Sequence, residues 1–359
     1  MSKKAFLFLS AILAVNLGAY LREVSAQDFS TSLKMDAIIA GKWDKPEERE
    51  KWFEKVVAES YGYYWSTDGN VTHRHLWEAG GLYGFSHLKY NTDSDLYIVG
   101  VEAGYRVGLP GLKRITVGFE TSQGSSDSMH GTDSDPAFSD RGRTNFLGYL
   151  SYQKHSGEDR AKYIRPAVYI RPIEGRITNK ITGYLDVLGE YIRYKDNVYI
   201  AQVTDVIPGT SGTFAAVNNP FKIRFEGAGG GFRGGFRLLD MLKLEGLFSY
   251  YPDMSVKRTL LWDVPINRKF VFTDGHGRGF TSRMKLGFTP FKKRQNLEVE
   301  AGYQYMQFEQ HGGQGRWYRF SDGNSDTIEN WERARSIRDG FFGGGTIRWL
   351  VDIQPSDRK

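Results

Sequence analysis

The sequence contains no cysteine, which removes disulfide scaffolds, thiolate metal sites and cysteine nucleophiles together. Proline is sparse, at 11 of 359 residues, and so seldom interrupts a strand. An excess of charge of one sign is also lacking. Lys and Arg number 48 against 42 Asp and Glu, a net +6 with no long basic run, so nucleic acid is not an expected partner. Beyond the extreme N-terminus no stretch reaches the roughly 18 apolar residues of a membrane-spanning helix. An exported protein without disulfides must hold itself together by core packing or by a closed sheet.

What is present is glycine and aromatic side chains: 42 Gly, 21 Tyr, 23 Phe and 8 Trp. That many rings exclude a disordered chain, and Gly with Tyr and Phe favours strands joined by tight turns. Lys3 and Lys4 precede an apolar stretch from Ala5 to Leu21, and Val24-Ser25-Ala26 forms a small-x-small cleavage pattern. Residues 1–26 are therefore expected to be a cleaved signal peptide, with one domain over 27–359. No Cys follows the apolar stretch, which excludes a lipoprotein anchor.

Apolar and polar residues alternate through the rest of the chain. In Leu297-Glu298-Val299-Glu300-Ala301-Gly302-Tyr303-Gln304-Tyr305 the odd positions are apolar or aromatic and the even ones polar or Gly. The same period runs through 97–107, 242–250 and 284–288. The polar face carries Glu, Arg, Lys and Gln beside Gly, whereas a soluble sandwich would show short polar residues to water. Strands of about ten residues with aromatic ends and a charged opposite face describe a transmembrane β-barrel, and a sheet in hydrocarbon must close on itself. The expected fold is all-β: a closed antiparallel barrel of 10–12 strands in the outer membrane, monomeric, with long extracellular loops. Turns are expected at 109–111, 155–158, 239–240 and 289–293, and long connections at 42–75, 124–143, 198–219, 253–268 and 310–336. A strand is expected at 33–41. Trp52, Phe53, Val56 and Val57 recur at helical spacing behind Pro46, which predicts one short amphipathic helix over 46–59.

Few residues suggest chemistry. Segment 124–143 is acidic and rich in Gly and Ser; Asp133 and Asp135, two residues apart, could share a proton or orient a water, though a solvated loop would look the same. In Asp274-Gly275-His276 a carboxylate beside an imidazole could form a general base, but Asp-Gly is also a turn dipeptide. His73 and His75 could share a strand face, yet with no third ligand nearby they read as surface histidines, and no metal or cofactor is expected.

Gly189-Glu190-Tyr191-Ile192-Arg193-Tyr194, Lys222-Ile223-Arg224-Phe225, Phe138-Ser139-Asp140 after an acidic segment, and Glu300-Ala301-Gly302 resemble the omptins over roughly 120–350. These are ten-stranded outer-membrane proteases with a narrow closed barrel. The resemblance implies a water nucleophile activated by an Asp-x-Asp pair and an Asp–His dyad, whose counterparts are Asp133, Asp135, Asp274 and His276, and cleavage of peptides at basic residues. It also implies lipopolysaccharide held on the outer wall by Arg193 and Arg224; inward pairing of these arginines with lumenal Glu is the alternative. Aligned on the strands, the dyad position falls near Leu261-Trp262-Asp263, which has no His. The sequence thus favours a non-enzymatic barrel, serving surface interaction, structure or slow diffusion through a narrow pore, over an endopeptidase.

Overall fold

Period-two alternation becomes strand almost everywhere. In the computed structural model the described residues are 55–109, 111–206, 213–239, 241–262, 268–290, 297–313, 315–319, 325–328 and 333–352. They form β1 (Lys55–Trp65), β2 (Asp68–Ala79), β3 (Leu82–Asn91), β4 (Asp95–Leu109), β5 (Leu112–Phe138), β6 (Phe146–Thr178) and β7 (Ile181–Asp205). The chain continues through β8 (Thr213–Leu238), β9 (Leu242–Trp262), β10 (Arg268–Phe288), β11 (Leu297–Gly312), β12 (Gly315–Arg319), β13 (Ser325–Ile328) and β14 (Ala334–Asp352). No helix occurs among the described residues.

The sheet closes. β4 through β11 pair in sequence order, all antiparallel, β11 pairs with β14, and β1 lies between β14 and β4. β2 and β3 form a hairpin that takes over from β1 and β4 further along, β2 on β14 and β3 on β5. Twelve long segments therefore make the wall, and because β1/β2 and β3/β4 are stacked end to end, each level crosses ten. The two breaks, at 66–67 and 92–94, are fastened together: Thr67 Oγ1 donates to Ser94 O at 2.6 Å, and Arg338 on β14 donates to Thr67 Oγ1 at 2.7 Å and Ser94 Oγ at 2.6 Å.

One end of the barrel carries the connections at 110–111, 179–180 and 239–241 and the longer one at 289–296; the other carries 139–145, 206–212, 263–267 and the excursion between β11 and β14. The exception at the long-loop end is the tight β2–β3 turn, where Gly80 and Gly81 take φ of 60° and 78°, a conformation open to Gly. On the lower half the outward face is apolar: Val99, Val101, Val117, Ile170, Leu244 and Leu286 are all more than two-fifths exposed. Tyr97, Tyr105, Tyr191, Tyr250 and Tyr303 are also exposed within this band. About ten residues per strand lie in it, the length that crosses a bilayer at barrel tilt. At roughly 3.3 Å per residue, the 33 residues of β6 far exceed that length, so the long-loop half of the barrel stands clear of the membrane.

The inward face is ionic in the lower half and aromatic above. Glu120, 2% exposed, accepts from Arg283 through both oxygens at 2.7 Å, from Arg165 at 2.9 Å, from Tyr163 at 2.7 Å and from Tyr61 at 2.9 Å. Arg233 bridges Glu102 and Asp186 at 2.7 and 2.8 Å, and Lys285 bridges Glu300 and Glu245 at 2.9 and 3.1 Å. Gly100 makes room here, since a Cβ at this position would collide with the Tyr61 ring. Further up, Phe308 on β11 meets Tyr194 of β7 at 4.9 Å and Phe225 of β8 at 5.5 Å across the lumen. Arg338 on β14 reaches Asp196 on β7, directly opposite in the ring, at 3.4 Å. A side chain can span a ten-stranded ring only if the ring is flattened, and this one is.

Several sequence expectations need correction. Residues 124–138 are not a loop but the upper part of β5, and 155–158 are not a turn but the middle of one long β6. That single change restores the parity of the strands before residue 200. Residues 198–205, 213–219, 253–262 and 310–312 also belong to strands rather than loops. Val56 and Val57 lie in β1, not a helix, because β1 is captured by β14 and β4. Residues 1–54, where the signal peptide, a strand at 33–41 and most of the helix are expected, lie outside the described residues.

Candidate functional site

The acidic pair sits on the inward face near the long-loop end. Asp133 lies on β5 opposite Leu88 of β3 and Gln153 of β6; Asp135 lies opposite Ser151. Ser86 Oγ donates to Asp133 at 3.2 Å and Ser151 Oγ donates to Asp135. Burial, and then the Asp135 carboxylate beside it, push the Asp133 carboxyl up to about 8. The Asp133 carboxyl thus keeps its proton at neutral pH. Two rungs away, Gly131 lies between Tyr90 and His155. A Cβ at Gly131 would collide with the Tyr90 ring, which instead stacks on His155 with centroids 5.8 Å apart and brings its hydroxyl 3.3 Å from Nδ1. Burial lowers His155 to about 4, so its ring is neutral at pH 7. Tyr90 and His155 were not singled out by the sequence; only the register of β3, β5 and β6 shows them.

The second expected element lies elsewhere. Asp274 and His276 are in β10, at a register shift of the β9–β10 ladder, and not in a turn. His276 is exposed on the outer wall, on the face of β10 that also carries Arg278 and the Phe280 ring stacked on Tyr305 at 5.3 Å. Its Nδ1 is 3.5 Å from Asp253, an exposed carboxylate of β9. Five strand steps around a ring of ten separate β5 from β10. Asp133 faces the lumen and His276 faces out, so the structure does not bring the two halves of the expected constellation together.

His73 is buried, not at the surface. Its ring packs edge-on against Phe221 at 5.5 Å and its Nδ1 lies 2.5 Å from Arg258 of β9. Among the described residues no group of His, Asp and Glu is arranged to hold a metal ion.

Arg193 and Arg224 face outward, because Ile192, Tyr194, Ile223 and Phe225 on either side of them are buried. They clasp the outer-wall Glu226 at 3.1 and 3.3 Å, so inward pairing with lumenal Glu is excluded. Lys195 pairs with Arg224 on one side and Lys162 on the other, and Lys257 pairs with Arg224. Four adjacent strands thus present cations just above the belt residues Ile164 and Tyr191.

Neither the known family models nor the curated proteins include a match to this chain. Solved structures do match. The outer membrane protease OmpT from Escherichia coli aligns at 14% identity with a TM-score of 0.62, over 83% of this chain and 97% of that one. The translocator domain of autotransporter NalP from Neisseria meningitidis aligns at 13% identity and a TM-score of 0.33, over 97% of this chain and 100% of that one. The toluene transporter TbuX from Ralstonia pickettii aligns at 8% identity and 0.30, over 82% and 90%. Only the first TM-score is high enough to carry weight, and at that identity it speaks for architecture alone: the chain has the closed antiparallel fold of the omptin type of outer-membrane β-barrel.

Proposed function

We propose that the chain is a monomeric, non-conducting barrel of the outer membrane, exported by its N-terminal signal peptide, whose long-loop end faces outward and works by binding. The observation that carries this reading is the filled lumen. The Glu120, Asp186 and Glu300 ion-pair tiers, with Trp65, Tyr90, Phe221 and Phe308 above them, occupy the axis and bury one another almost completely. A water-filled path would leave these groups exposed. In planar bilayers the purified barrel is expected to give no stepwise current, and unitary current steps in its presence would overturn the reading.

Lipopolysaccharide is the lipid partner in this proposal. Guanidinium and ammonium groups bind phosphate through charge-assisted hydrogen bonds, and those of Arg193, Lys195, Arg224 and Lys257 stand at the edge of the apolar belt. Replacing Arg193 and Arg224 together by Ala is expected to weaken lipopolysaccharide binding roughly three- to tenfold, less than for buried ion pairs because the site is wet. Titration of the barrel in detergent with lipopolysaccharide measures this, and an unchanged affinity would remove the assignment.

An endopeptidase is the second reading, favoured by one observation. Asp133, which keeps its proton at neutral pH, lies two residues from Asp135 on β5, and two carboxyl groups are the residue types that acid–base hydrolysis by water uses. Whole cells displaying the barrel and given a dibasic peptide decide the matter. On the binding reading, cleavage does not exceed that of cells without the barrel. Cleavage by the parent that disappears in Asp133→Asn, Asp274→Ala and His276→Ala would establish the protease.

A further inference from the structure

Three arginines stand side by side on the inward face, near the end that carries the turns at 110–111 and 179–180. Arg106 of β4 pairs with Arg114 of β5, and Arg114 pairs with Arg171 of β6. Neighbouring strands lie about 4.8 Å apart, and like charges directly opposite repel. The two flanking arginines have partners. Arg171 meets Asp186 at 2.6 Å and Glu174 at 3.2 Å, and Arg106 meets Glu174 at 3.4 Å. Among the described residues Arg114 has no hydrogen bond or ion pair, although its Nε is buried.

The carboxylates around it are already engaged. The charges that act on Arg114 are Arg171 and Arg348, which repel it, and Glu59 and Glu174, which attract it. Glu59 is held by Arg348 at 2.7 Å, Glu174 is shared by Arg106 and Arg171, and Asp186 is shared by Arg171 and Arg233. The same holds through the lower lumen. Arg165 and Arg283 share Glu120, Arg237 lies 3.0 Å from Glu298, Lys243 lies 3.1 Å from Glu245, and Lys285 bridges Glu300 and Glu245. Among the described residues, Arg114 is the one buried or half-buried cation of this region without a carboxylate within 3.4 Å. Turning Glu59 or Glu174 toward it would strip another arginine, so the deficit would move and not close.

The local shape gathers donors. Gly104 lies beneath the Arg114 side chain: a Cβ there would fall 2.7 Å from Arg114 Nε and 2.8 Å from Thr116 Oγ1. The buried Thr116 hydroxyl and the Arg114 Nε–H therefore flank one spot. A guanidinium takes a planar carboxylate through two parallel N–H groups. One uncancelled positive charge calls for a monoanion, whereas a phosphate dianion would bring a second negative charge beside Glu59 and Glu174. Two sources can supply a carboxylate. One is a free solute. The other is the chain itself, which enters β1 at Lys55, next to the Val56–Tyr105 rung at this same end, and carries Glu47, Glu48, Glu50 and Glu54 just before it.

We propose that Arg114, with Thr116 and the flanking Arg106 and Arg171, forms a carboxylate-binding site at the mouth of the lumen opposite the long loops. The bound carboxylate offsets the charge of Arg114 and relieves the repulsion along the arginine row. This goes beyond the binding reading, which concerns the other end of the barrel.

The test uses the whole barrel in nanodiscs, with isotope-labelled arginine for nuclear magnetic resonance and sodium acetate as probe. Acetate replaces chloride step by step, so ionic strength stays fixed. The Arg114 Nε–H resonance, assigned by its loss in Arg114→Gln, is expected to shift and saturate. Acetate should also raise the urea unfolding midpoint of the parent and leave that of Arg114→Gln unmoved, since a ligand stabilises only the state that binds it. Arg106→Gln should weaken acetate about two- to fivefold, as for the loss of a half-exposed ion pair. Arg114→Gln removes no bond among the described residues, and the heat-dependent gel shift verifies that it folds. Replacing Glu47, Glu48, Glu50 and Glu54 together by Gln separates the sources. Acetate affinity no higher in that variant than in the parent assigns the site to a free carboxylate; affinity gained in it assigns the site to the chain's own glutamates. No saturable shift in either protein overturns the proposal, as does an acetate-dependent midpoint that Arg114→Gln retains. Unitary currents in a bilayer would overturn the sealed-lumen reading and leave this site standing.

Discussion

Replacing Glu120 by Ala is expected to destabilise the barrel by about 3–5 kcal/mol, the cost of leaving buried charge without its partner. Glu120 accepts hydrogen bonds from Arg283, Arg165, Tyr61 and Tyr163, and the two arginines are 9% and 3% exposed. Without the carboxylate, Arg283 retains Gln304 at 2.6 Å, and Arg165 retains Glu190 at 3.8 Å, too long to compensate. Urea unfolding in lipid vesicles, followed by Trp fluorescence, reads the shift in midpoint. Replacing Glu120, Arg165 and Arg283 together by apolar residues of similar size should recover most of the loss, because the desolvation cost goes with the charges. A Glu120→Ala midpoint equal to that of the parent would mean that the lumen is wetter than these contacts imply.

The second large effect concerns Asp133 and depends on pH. In the unfolded chain this carboxyl titrates at its ordinary value near 3.8, and in the barrel at about 8, raised by burial and then by Asp135. Between those values the folded state keeps a proton that the unfolded state has lost. Stability contributed by Asp133 therefore falls as pH rises from about 4 to about 8, and is level above that. At about 1.4 kcal/mol per pKa unit, the accumulated cost at pH 9 is several kcal/mol. Asp133→Asn keeps the shape and removes the titration, so it should match the parent near pH 4 and exceed its stability at pH 9. Unfolding midpoints of both proteins at the two pH values check this. A difference that shrinks as pH rises would show that the carboxyl is ionised and well solvated.

The sequence made the belt strands plain and the upper barrel obscure, for physical reasons. Stretches 97–107, 242–250 and 297–305 alternate cleanly because one face meets lipid and the other meets charge, and all three lie in strands. Above the belt both faces can be polar, and that signal vanishes. Segment 124–138, with its Ser, Asp and Gly, reads as a solvated loop; it is β5 because β3 and β6 pair with it from both sides, and ladder hydrogen bonds do not depend on side-chain type. His155-Ser156-Gly157-Glu158 reads as a turn, yet Gly157 marks a register shift where the Tyr199 carbonyl occupies the space a Cβ would need. The site was legible only in part. The Asp133–Asp135 pair stands out by its spacing. The burial of His73 depends on Phe221 and Arg258, far along the chain, and the outward turn of Arg193 and Arg224 depends on which neighbours the lumen buries.

The end-to-end stacking of β1 on β2 and of β3 on β4 makes the β2–β3 hairpin a separable panel of the long-loop half. Trp65 already lies opposite Leu96 within the β1–β4 ladder, so a tight turn between them would close the same ten-strand ring one level lower. That panel can then diversify while β1 and β4 keep their rungs. Replacing the 66–95 cassette changes two of the ten wall strands at the long-loop end and leaves the lipid-facing ladder of β1 with β4 and β14 in place.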